Sequence, residues 1–419
     1  MKVCLINIQD FKGTGGGTIV TKSIAESLKK RGHYVFVISS APQSSKSFSK
    51  EIQFGIKVYR FYPFGTWIPP YEGGKISNIG RIFTFLLDFW NPHTYLMVKK
   101  ILKKEKPDIV HINATIPYLS LSVYSAVRSL NLPMVSTIHS IVYLFPFTNL
   151  PYLDKIAGIK YPFLKDNYKI YEKISNVYRG INRIIIGSPD LVTFPTTAII
   201  NEYEKYKFFK HSTKIVFPNF IEINGKNLKN EKTSNKETFD IMYCGGFQRH
   251  KGWQTLIKAF KKIKNPDIRL HIFGGGEKDV EEYFKMLTAG DKRIIFYGRL
   301  PNNELQKFYE IADVTVVPSE CFENFSIAII ESFRAGVPVI GSNAGGNPEL
   351  IKEDYNGFLF EPGNVEQLKN ILEKAINNKE KLKEMGENAF EWVKKLDTKK
   401  ITPKLEEIYK EAIKLKQRK

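Results

Sequence analysis

One local pattern recurs along the chain: a short run of apolar, often β-branched residues, a turn rich in glycine or proline, then apolar residues at helical spacing. Apolar runs that do not alternate with polar residues mark strands buried on both faces. Such strands sit in parallel sheets whose crossovers are helices. The first unit reads as a strand containing Val3, Leu5 and Ile8, then the loop Gly13-Thr14-Gly15-Gly16-Gly17. A helix follows with Ile24 and Leu28 on one face and Gly32 at its C-cap, and then a strand over Tyr34–Ile38. Further strands are predicted over Pro107–Ile112, Met134–His139 and Leu191–Phe194. After Pro218-Asn219 the chain turns polar and lysine-rich (NGKNLKNEKTSNKET), as an interdomain linker does.

A second series begins at Phe239. Ile241–Cys244 is a strand, Gly245-Gly246 a turn, and Trp253–Ile263 a helix. Leu270–Phe273 is a strand that ends in Gly274–Gly276. Ile294–Tyr297, Val314–Val317 and Val337–Ile340 follow as strands. The prediction is an α/β protein of two doubly wound domains in tandem, 1–218 and 238–397, joined by a linker over 219–237 and followed by a segment over 398–419. Sheets of this kind bind ligands beyond the carboxyl ends of their strands, and with two domains the cleft between them is the expected site.

Composition narrows the function without naming it. At 419 residues, 42% of them hydrophobic, the chain has ample material for two cores. The longest greasy stretch, Ile82–Trp90, is interrupted by Thr84 and Asp88 and falls far short of the roughly 20 apolar residues that a spanning helix needs. The opening MKVCLINIQD turns polar too soon for a signal peptide. Cys4, Cys244 and Cys321 are too few and too scattered for a metal cluster or a disulfide framework, so a reduced, cytoplasmic setting is expected. The net charge of +20 calls for an anionic partner: a nucleotide, a phospholipid surface or nucleic acid.

Three turns carry residues suited to phosphate chemistry. The first glycine loop lies between a strand and a helix, where backbone N–H groups and the helix dipole attract phosphate. It lacks the Lys-Ser/Thr ending of a P-loop. The turn Gly245-Gly246-Phe247-Gln248-Arg249-His250-Lys251-Gly252 sets two cations, Arg249 and Lys251, at the mouth of a strand. The stretch Pro318-Ser319-Glu320-Cys321-Phe322-Glu323-Asn324-Phe325-Ser326 leads from a strand into a helix that holds Ile330, Glu331 and Phe333, with Ser326 or a neighbour as its cap. Eight helical positions span about 12 Å. Glu323 and Glu331 therefore cannot share a proton or a metal, but they can hold opposite ends of one ligand lying across the helix start. The N–H groups of Asn324 to Ile327 would face that ligand's phosphate.

Taken in order, these motifs resemble a retaining glycosyltransferase of the GT-B fold, family 4. The resemblance runs from the glycine loop through KPDIVHIN at 106–113, STIHS with His139, FPNFI at 217–221, GGFQRHKGW, FGGGE at 273–277 and FYGRL at 296–300. It continues through Glu323/Glu331 as the family's E-x7-E, then AGVPVIGSNAGGNPELI and NGFLFEPGN. It implies two Rossmann-like domains facing across a cleft, with 398–419 as a closing helix that returns to the first. It also implies a nucleotide-sugar co-substrate, with no further cofactor and no metal. By matching position, Glu331 corresponds to the glutamate on the nucleotide ribose, Glu323 to the one near the donor sugar hydroxyls, and Lys251 to the lysine on the diphosphate. The family's second basic residue usually follows the glycine of the turn; Gly246 stands there, leaving Arg249 as the substitute. Gly245, Asn324, Phe325 and Ser326 fall on the donor segments, with Asn324 and Ser326 in place of commoner glycines. Gly16, Gly17 and Thr18 match the loop over the diphosphate, and His139 the histidine near the acceptor and the anomeric carbon. In the family the leaving phosphate is thought to take the acceptor proton on the same face, which accounts for the lack of a carboxylate nucleophile of the glycosidase kind.

The implied acceptor is a glycan or a lipid-linked saccharide. Two stretches outside the family pattern, 61–71 continuing over 81–106, and 141–173, mix aromatics with lysines. Such stretches suit a surface lying on an anionic membrane, with Trp67, Phe83 and Phe89 as inserting residues; they equally suit an aromatic core under a solvated lysine face. The expected location is cytoplasmic, peripheral on the inner face of the membrane. Two other readings compete: a sugar-nucleotide epimerase of the same fold, and a basic nucleic-acid-binding protein. No nucleic-acid-binding motif appears in the sequence, so nucleic acid is not an expected partner.

Overall fold

The structure, a computed structural model, describes residues 1–13, 15–41, 48–64, 85–114, 118–146, 162–223, 237–276 and 278–418. Thr14, Trp67, Phe83, Glu277, the segment 147–161 and the lysine-rich tract 224–236 lie outside them. The chain divides into two compact units. The first comprises Met1–Pro146, Tyr168–Glu222 and Leu396–Lys419, and the second Phe147–Asn167 and Ile223–Lys395.

The first unit is built on an eight-stranded sheet: β1 (Lys2–Ile6), β2 (Tyr34–Ser40), β3 (Ser49–Gln53), β4 (Ile56–Phe61), β5 (Ile109–Ile112), β6 (Met134–Thr137), β7 (Leu191–Phe194) and β8 (Thr213–Val216), in the order β3-β4-β2-β1-β5-β6-β7-β8. All neighbours are parallel except β3 and β4, which form a hairpin. The hairpin turn uses Phe54 and Gly55, both at positive φ (51° and 66°), as a two-residue turn between twisted strands requires. The strands β1, β5, β6 and β7 are buried throughout or nearly so. The polar residues within β5 and β6 are buried too and find partners: His111 Nε2 meets Thr137 Oγ1 at 2.6 Å, and Ser136 Oγ meets Tyr124 Oη at 2.8 Å. Two ends differ from expectation. β1 stops at Ile6, because Asn7 Nδ2 donates to the Gln9 carbonyl at 2.9 Å and turns the chain, which leaves Ile8 in the loop. β6 stops at Thr137, so His139 lies in the following loop.

The helix Thr398–Gln417 packs on this first unit. It is capped by the Asp397 side chain, and Asp397 is bridged in parallel to Ile221. Arg31 donates to Glu406 through Nε and Nη2 at 2.6 and 2.9 Å, and Tyr409 is fully buried against His111 of β5.

The second unit carries a six-stranded, all-parallel sheet of β9 (Phe239–Cys244), β10 (Ile268–Phe273), β11 (Ile294–Gly298), β12 (Val314–Val317), β13 (Val339–Ser342) and β14 (Gly357–Phe360), in the order β11-β10-β9-β12-β13-β14. This is the doubly wound order whose direction reverses between the first and fourth strands, here β9 and β12. Trp253, Leu256, Ile257 and Phe260 fill one side of the sheet from the helix Trp253–Lys262. β13 begins two residues later than predicted. The Val337 N–H closes the preceding helix on the Ser332 carbonyl (3.0 Å), and Pro338 has no N–H to give a ladder.

Candidate active site

In the second unit the loops after β9 and β12 meet at the point where the strand order reverses, the place such sheets reserve for ligands. The first of these loops runs from Gly245 to Gly252 and includes a single 3₁₀ turn, Arg249–Lys251. Trp253 Nε1 donates to the Phe247 carbonyl at 2.9 Å, and Tyr243 Oη to the Gly246 carbonyl at 2.9 Å, so both ends of the loop are tied down. Gly252 closes it at φ 69°. A Cβ there would lie 1.7 Å from the Pro318 carbonyl oxygen, so only glycine lets this loop press against the end of β12.

That close approach joins Lys251 to Glu323. Lys251 Nζ donates to Glu323 Oε1 at 2.5 Å, and Ser319 Oγ donates to the same oxygen at 2.7 Å. Burial alone would push the Glu323 carboxyl up, but the Lys251 charge and the two hydrogen bonds outweigh it and hold Glu323 below the usual range. Burial likewise opposes the charge on Lys251, and Glu323 more than restores it, raising its pKa. The backbone of Glu323 is gripped as well: Gly346 N donates to its carbonyl at 2.6 Å, and a Cβ on Gly345 (φ 58°) would stand 2.1 Å from that oxygen.

Glu331 occupies a different setting. It sits in the second turn of the helix Ile327–Arg334, is buried, and receives the Tyr309 hydroxyl at 3.5 Å. Burial raises its pKa, with Arg334 and Tyr309 pulling the other way. Ser326 holds the N-cap position of that helix, but its side chain makes no capping bond. The first-turn N–H groups are therefore not taken by the expected cap, and no acidic residue stands in the first turn. Asn324 and Phe325 are buried beside it. Arg249 is not part of the Lys251–Glu323 pair. It is exposed, and its charge acts on Glu320, whose carboxyl burial pushes up and the Thr255 hydroxyl and Arg249 pull down. Among the described residues no three His, Cys, Asp or Glu side chains gather as they would to hold a metal ion.

In the first unit the helix Gly16–Lys30 already begins at Gly16, so Gly16, Gly17 and Thr18 are its first turn rather than a loop. Thr18 and Ile19 direct their N–H groups to the Gly15 carbonyl (2.9 and 3.2 Å), and Thr18 Oγ1 donates to Gln9 Oε1 at 3.4 Å. His139 is half-buried, its Nε2 without a hydrogen-bond partner, and burial lowers its pKa to about 4, so the ring is neutral at neutral pH. Two residues with no expected role stand one and two strands away, after β5 and β1. Asn7 and Asn113 follow the paired ends of β1 and β5, with Asn113 N bonded to the Ile6 carbonyl at 2.9 Å. Both are buried, and Asn7 Oδ1 and both amide atoms of Asn113 have no partner. Buried polar groups left unpaired at the carboxyl edge of a sheet are satisfied by a bound water or by a ligand. Asn113 lies within KPDIVHIN, but only its burial separates it from a loop asparagine.

The family described as Glycosyltransferase Family 4 matches residues 14–224, just over half of the chain. This chain belongs to that family. The companion family, Glycosyl transferases group 1, matches residues 225–392 of this glycosyltransferase. N-acetyl-alpha-D-glucosaminyl L-malate synthase of Bacillus anthracis is 23% identical to it over 97% of each chain. Among solved structures, sucrose-phosphate synthase of Thermosynechococcus elongatus superposes with a TM-score of 0.72 at 19% identity, covering 98% of both chains. The HepE protein of Anabaena, solved in complex with UDP-glucose, gives 0.70 at 19% identity and covers 98% of this chain and 99% of that one. The fold of this glycosyltransferase is therefore GT-B, and its membership decides against the epimerase and nucleic-acid readings.

Proposed function

We propose that this glycosyltransferase moves a hexose from a UDP- or GDP-linked donor to a hydroxyl of a glycan or lipid-linked saccharide, with retention at the anomeric carbon, in the synthesis of surface glycans or glycoconjugates. The observation that carries the reading is the Lys251–Glu323 pair at the strand-order reversal, with Glu331 buried in the second turn of the helix that follows. The UDP-glucose complex of the HepE protein, which shares the fold, is consistent with a nucleotide-sugar donor.

In this reading the donor's diphosphate lies on Lys251 and the first-turn N–H groups of the helix Ile327–Arg334, which the Ser326 side chain does not cap. Glu331 accepts from the ribose and Glu323 from sugar hydroxyls. The bond between the anomeric carbon and the phosphate oxygen breaks, and the acceptor oxygen bonds to the anomeric carbon on the same face. The acceptor proton passes to the departing phosphate, and the products are the glycoside and a nucleoside diphosphate. Lys251, with Arg249 near, supplies fixed positive charge where the leaving group gains negative charge, so the step needs no divalent ion. Neutral His139 orients the acceptor hydroxyl or carries its hydrogen bond. Asn7 and Asn113 offer an acceptor oxygen and a complete amide to a hydroxyl-rich ligand, which is what a saccharide presents. The enzyme would work on the cytoplasmic face of the membrane; no helix of the described residues is long and apolar enough to cross one.

A panel of UDP-, GDP- and ADP-sugars, scored by thermal shift and by hydrolysis without acceptor, tests the reading, because a ligand that binds the folded site raises the melting point. One nucleotide should stand out. In Glu331→Ala its affinity should fall about 10- to 150-fold, the loss of a charge-assisted hydrogen bond worth roughly 1.5–3 kcal/mol. No response to any sugar nucleotide would overturn the donor assignment.

A further inference from the structure

The helix Pro162–Ile186 has three faces where an amphipathic helix has two. Successive residues turn by about 100°, so Tyr171, Ser175, Tyr178, Arg179, Asn182 and Ile186 share one arc, and all of them are buried. On another arc, about 80° wide at the same pitch, stand Ile174, Val177, Ile181 and Ile184, and these are exposed, Val177 and Ile184 to 64% and 79%. Between the two arcs on the far side lie Lys169, Lys173 and Arg183, also exposed. The acid of that sector, Glu172, is taken by Arg179 at 2.6 Å.

The exposed apolar arc does not end with the helix. Phe85 and Phe89 pack on Tyr178 with ring centroids 6.0 and 5.4 Å away, which brings residues 85–89 against the helix next to that arc. On this segment it is Leu86 and Trp90 that are exposed, while Phe89, expected above to insert, is half-buried against Phe85 and Tyr178. On the basic side a cavity of about 220 Å³ opens between the helix and the chain after Ile199, lined by Arg179, Arg183, Lys205 and Lys207. Among the described residues no ion pair involves Lys169, Lys173, Arg183 or Lys207.

We propose that this face of the first unit, Ile174, Val177, Ile181 and Ile184 with Leu86 and Trp90, docks on an anionic lipid bilayer, its aliphatic side chains entering the headgroup boundary and the cations beside it meeting lipid phosphate. Charge complementarity selects the occupant. An apolar strip edged by lysine and arginine outside any ion pair, on a chain of net charge +20, suits a surface that is apolar below and negative above. The cavity between Arg183 and Lys207 gives one headgroup phosphate a seat beside the inserted strip. The inference deepens the membrane part of the function proposed above and rests on it only for the acceptor; docking itself does not require the donor assignment.

The test is co-sedimentation of the full chain with vesicles of phosphatidylcholine alone and of phosphatidylcholine mixed equally with phosphatidylglycerol, at low and high salt. The wild type should pellet with the mixed vesicles at low salt, release at high salt, and ignore the neutral ones. Ile174→Ser with Ile181→Ser and Ile184→Ser should weaken binding to mixed vesicles about tenfold or more, and Lys173→Glu with Lys207→Glu comparably, since each basic group near an anionic surface contributes on the order of fivefold. All these side chains are exposed, so melting points and donor hydrolysis should stay at wild-type values. Failure to bind mixed vesicles, or unchanged binding by the triple serine variant, would overturn the proposal. So would a wild type that is dimeric without lipid and becomes monomeric in the triple variant, because a second copy would then own the face. If vesicles bind as described but no sugar nucleotide is recognised, the docking surface stands and the donor reading fails.

Discussion

Lys251 Nζ donates to Glu323 Oε1 at 2.5 Å, so the ammonium that would receive a diphosphate already has a carboxylate partner. A phosphate arriving there must share Lys251 with Glu323, and the sugar hydroxyls must take over part of what Glu323 gives up. The two side chains therefore separate in their effects. Lys251→Ala should lower turnover on the order of a hundredfold, the usual cost of removing one fixed donor to a developing charge, and should weaken binding of the bare nucleoside diphosphate as well. Lys251→Arg should recover only part of the activity, because its planar head does not reproduce a point charge. Glu323→Gln should lower turnover but leave UDP or GDP bound as tightly as before, or more tightly. Calorimetric titration beside steady-state kinetics checks this; weaker nucleoside diphosphate binding in Glu323→Gln would show that the pair acts as one structural unit.

Gly252 should prove as sensitive as the charged residues around it. Its φ is 69°, and a Cβ at this position would stand 1.7 Å from the Pro318 oxygen, so Gly252→Ala must move the loop carrying Lys251. Stability should fall by roughly 1–3 kcal/mol, with turnover falling more than the stability loss explains. Thermal melts beside steady-state kinetics check both. Gly180, in mid-helix with open space at its Cβ, is the contrast: Gly180→Ala should raise the melting point, since alanine is favoured over glycine there by about 1 kcal/mol.

Asp88 should make the first unit pH-sensitive. Its Oδ1 is buried without a partner, and burial pushes the carboxyl up to about 8 from the usual 3.8. Between those values the unfolded chain has lost a proton that the folded chain keeps, so stability falls as pH rises, by at most about 1.4 kcal/mol per pH unit. Asp88→Asn removes this dependence. Denaturant melts should show the variant gaining on the wild type from pH 4 to pH 8 and holding the gain above that; a constant difference across the range would place the carboxyl in water.

The docking of the C-terminal helix has the opposite sign. Arg31 hydrogen-bonds the Glu406 carboxylate, and with His33 also beside it the group is held at about 2 against a usual 4.5, despite partial burial. Its contribution is complete above pH 4.5 and is lost as pH falls through 2. Because Arg31 is itself largely exposed, solvent screens the pair, and Glu406→Gln should cost about 1–2 kcal/mol at neutral pH and nothing near pH 2. Amide exchange in the helix Thr398–Gln417 should report the loosening.

Much of the architecture is legible in the residues. Parallel strands buried on both faces are written as largely apolar runs, so β5, β7, β12 and the greater part of β9 and β10 can be placed from their side chains alone, while Asp240 and Arg269 lie at the starts of β9 and β10 ahead of those runs. The hairpin β3–β4 escapes that reasoning, because its outer strand alternates with exposed positions and its turn is Phe-Gly rather than one of the common hairpin pairs. Strand ends escape it too. Ile8 leaves the sheet because the Asn7 side chain redirects the chain, and hydrophobic periodicity does not register such a bond; β6 likewise ends at Thr137, before His139.

The site divides in the same way. Sequence spacing alone places Glu323 and Glu331 too far apart to work as one carboxylate pair, and Lys251 at a strand mouth, because helix rise and turn position are local quantities. Only the tertiary structure joins Lys251 to Glu323 across 72 residues, sends Arg249 toward Glu320 instead, and leaves Asn7 Oδ1 and the Asn113 side-chain amide without partners on adjacent strand ends. It also turns four aliphatic residues of one helix outward. These outcomes depend on which loops the strand order brings side by side and on what covers each helical face, and neither is encoded within reach of the residues concerned.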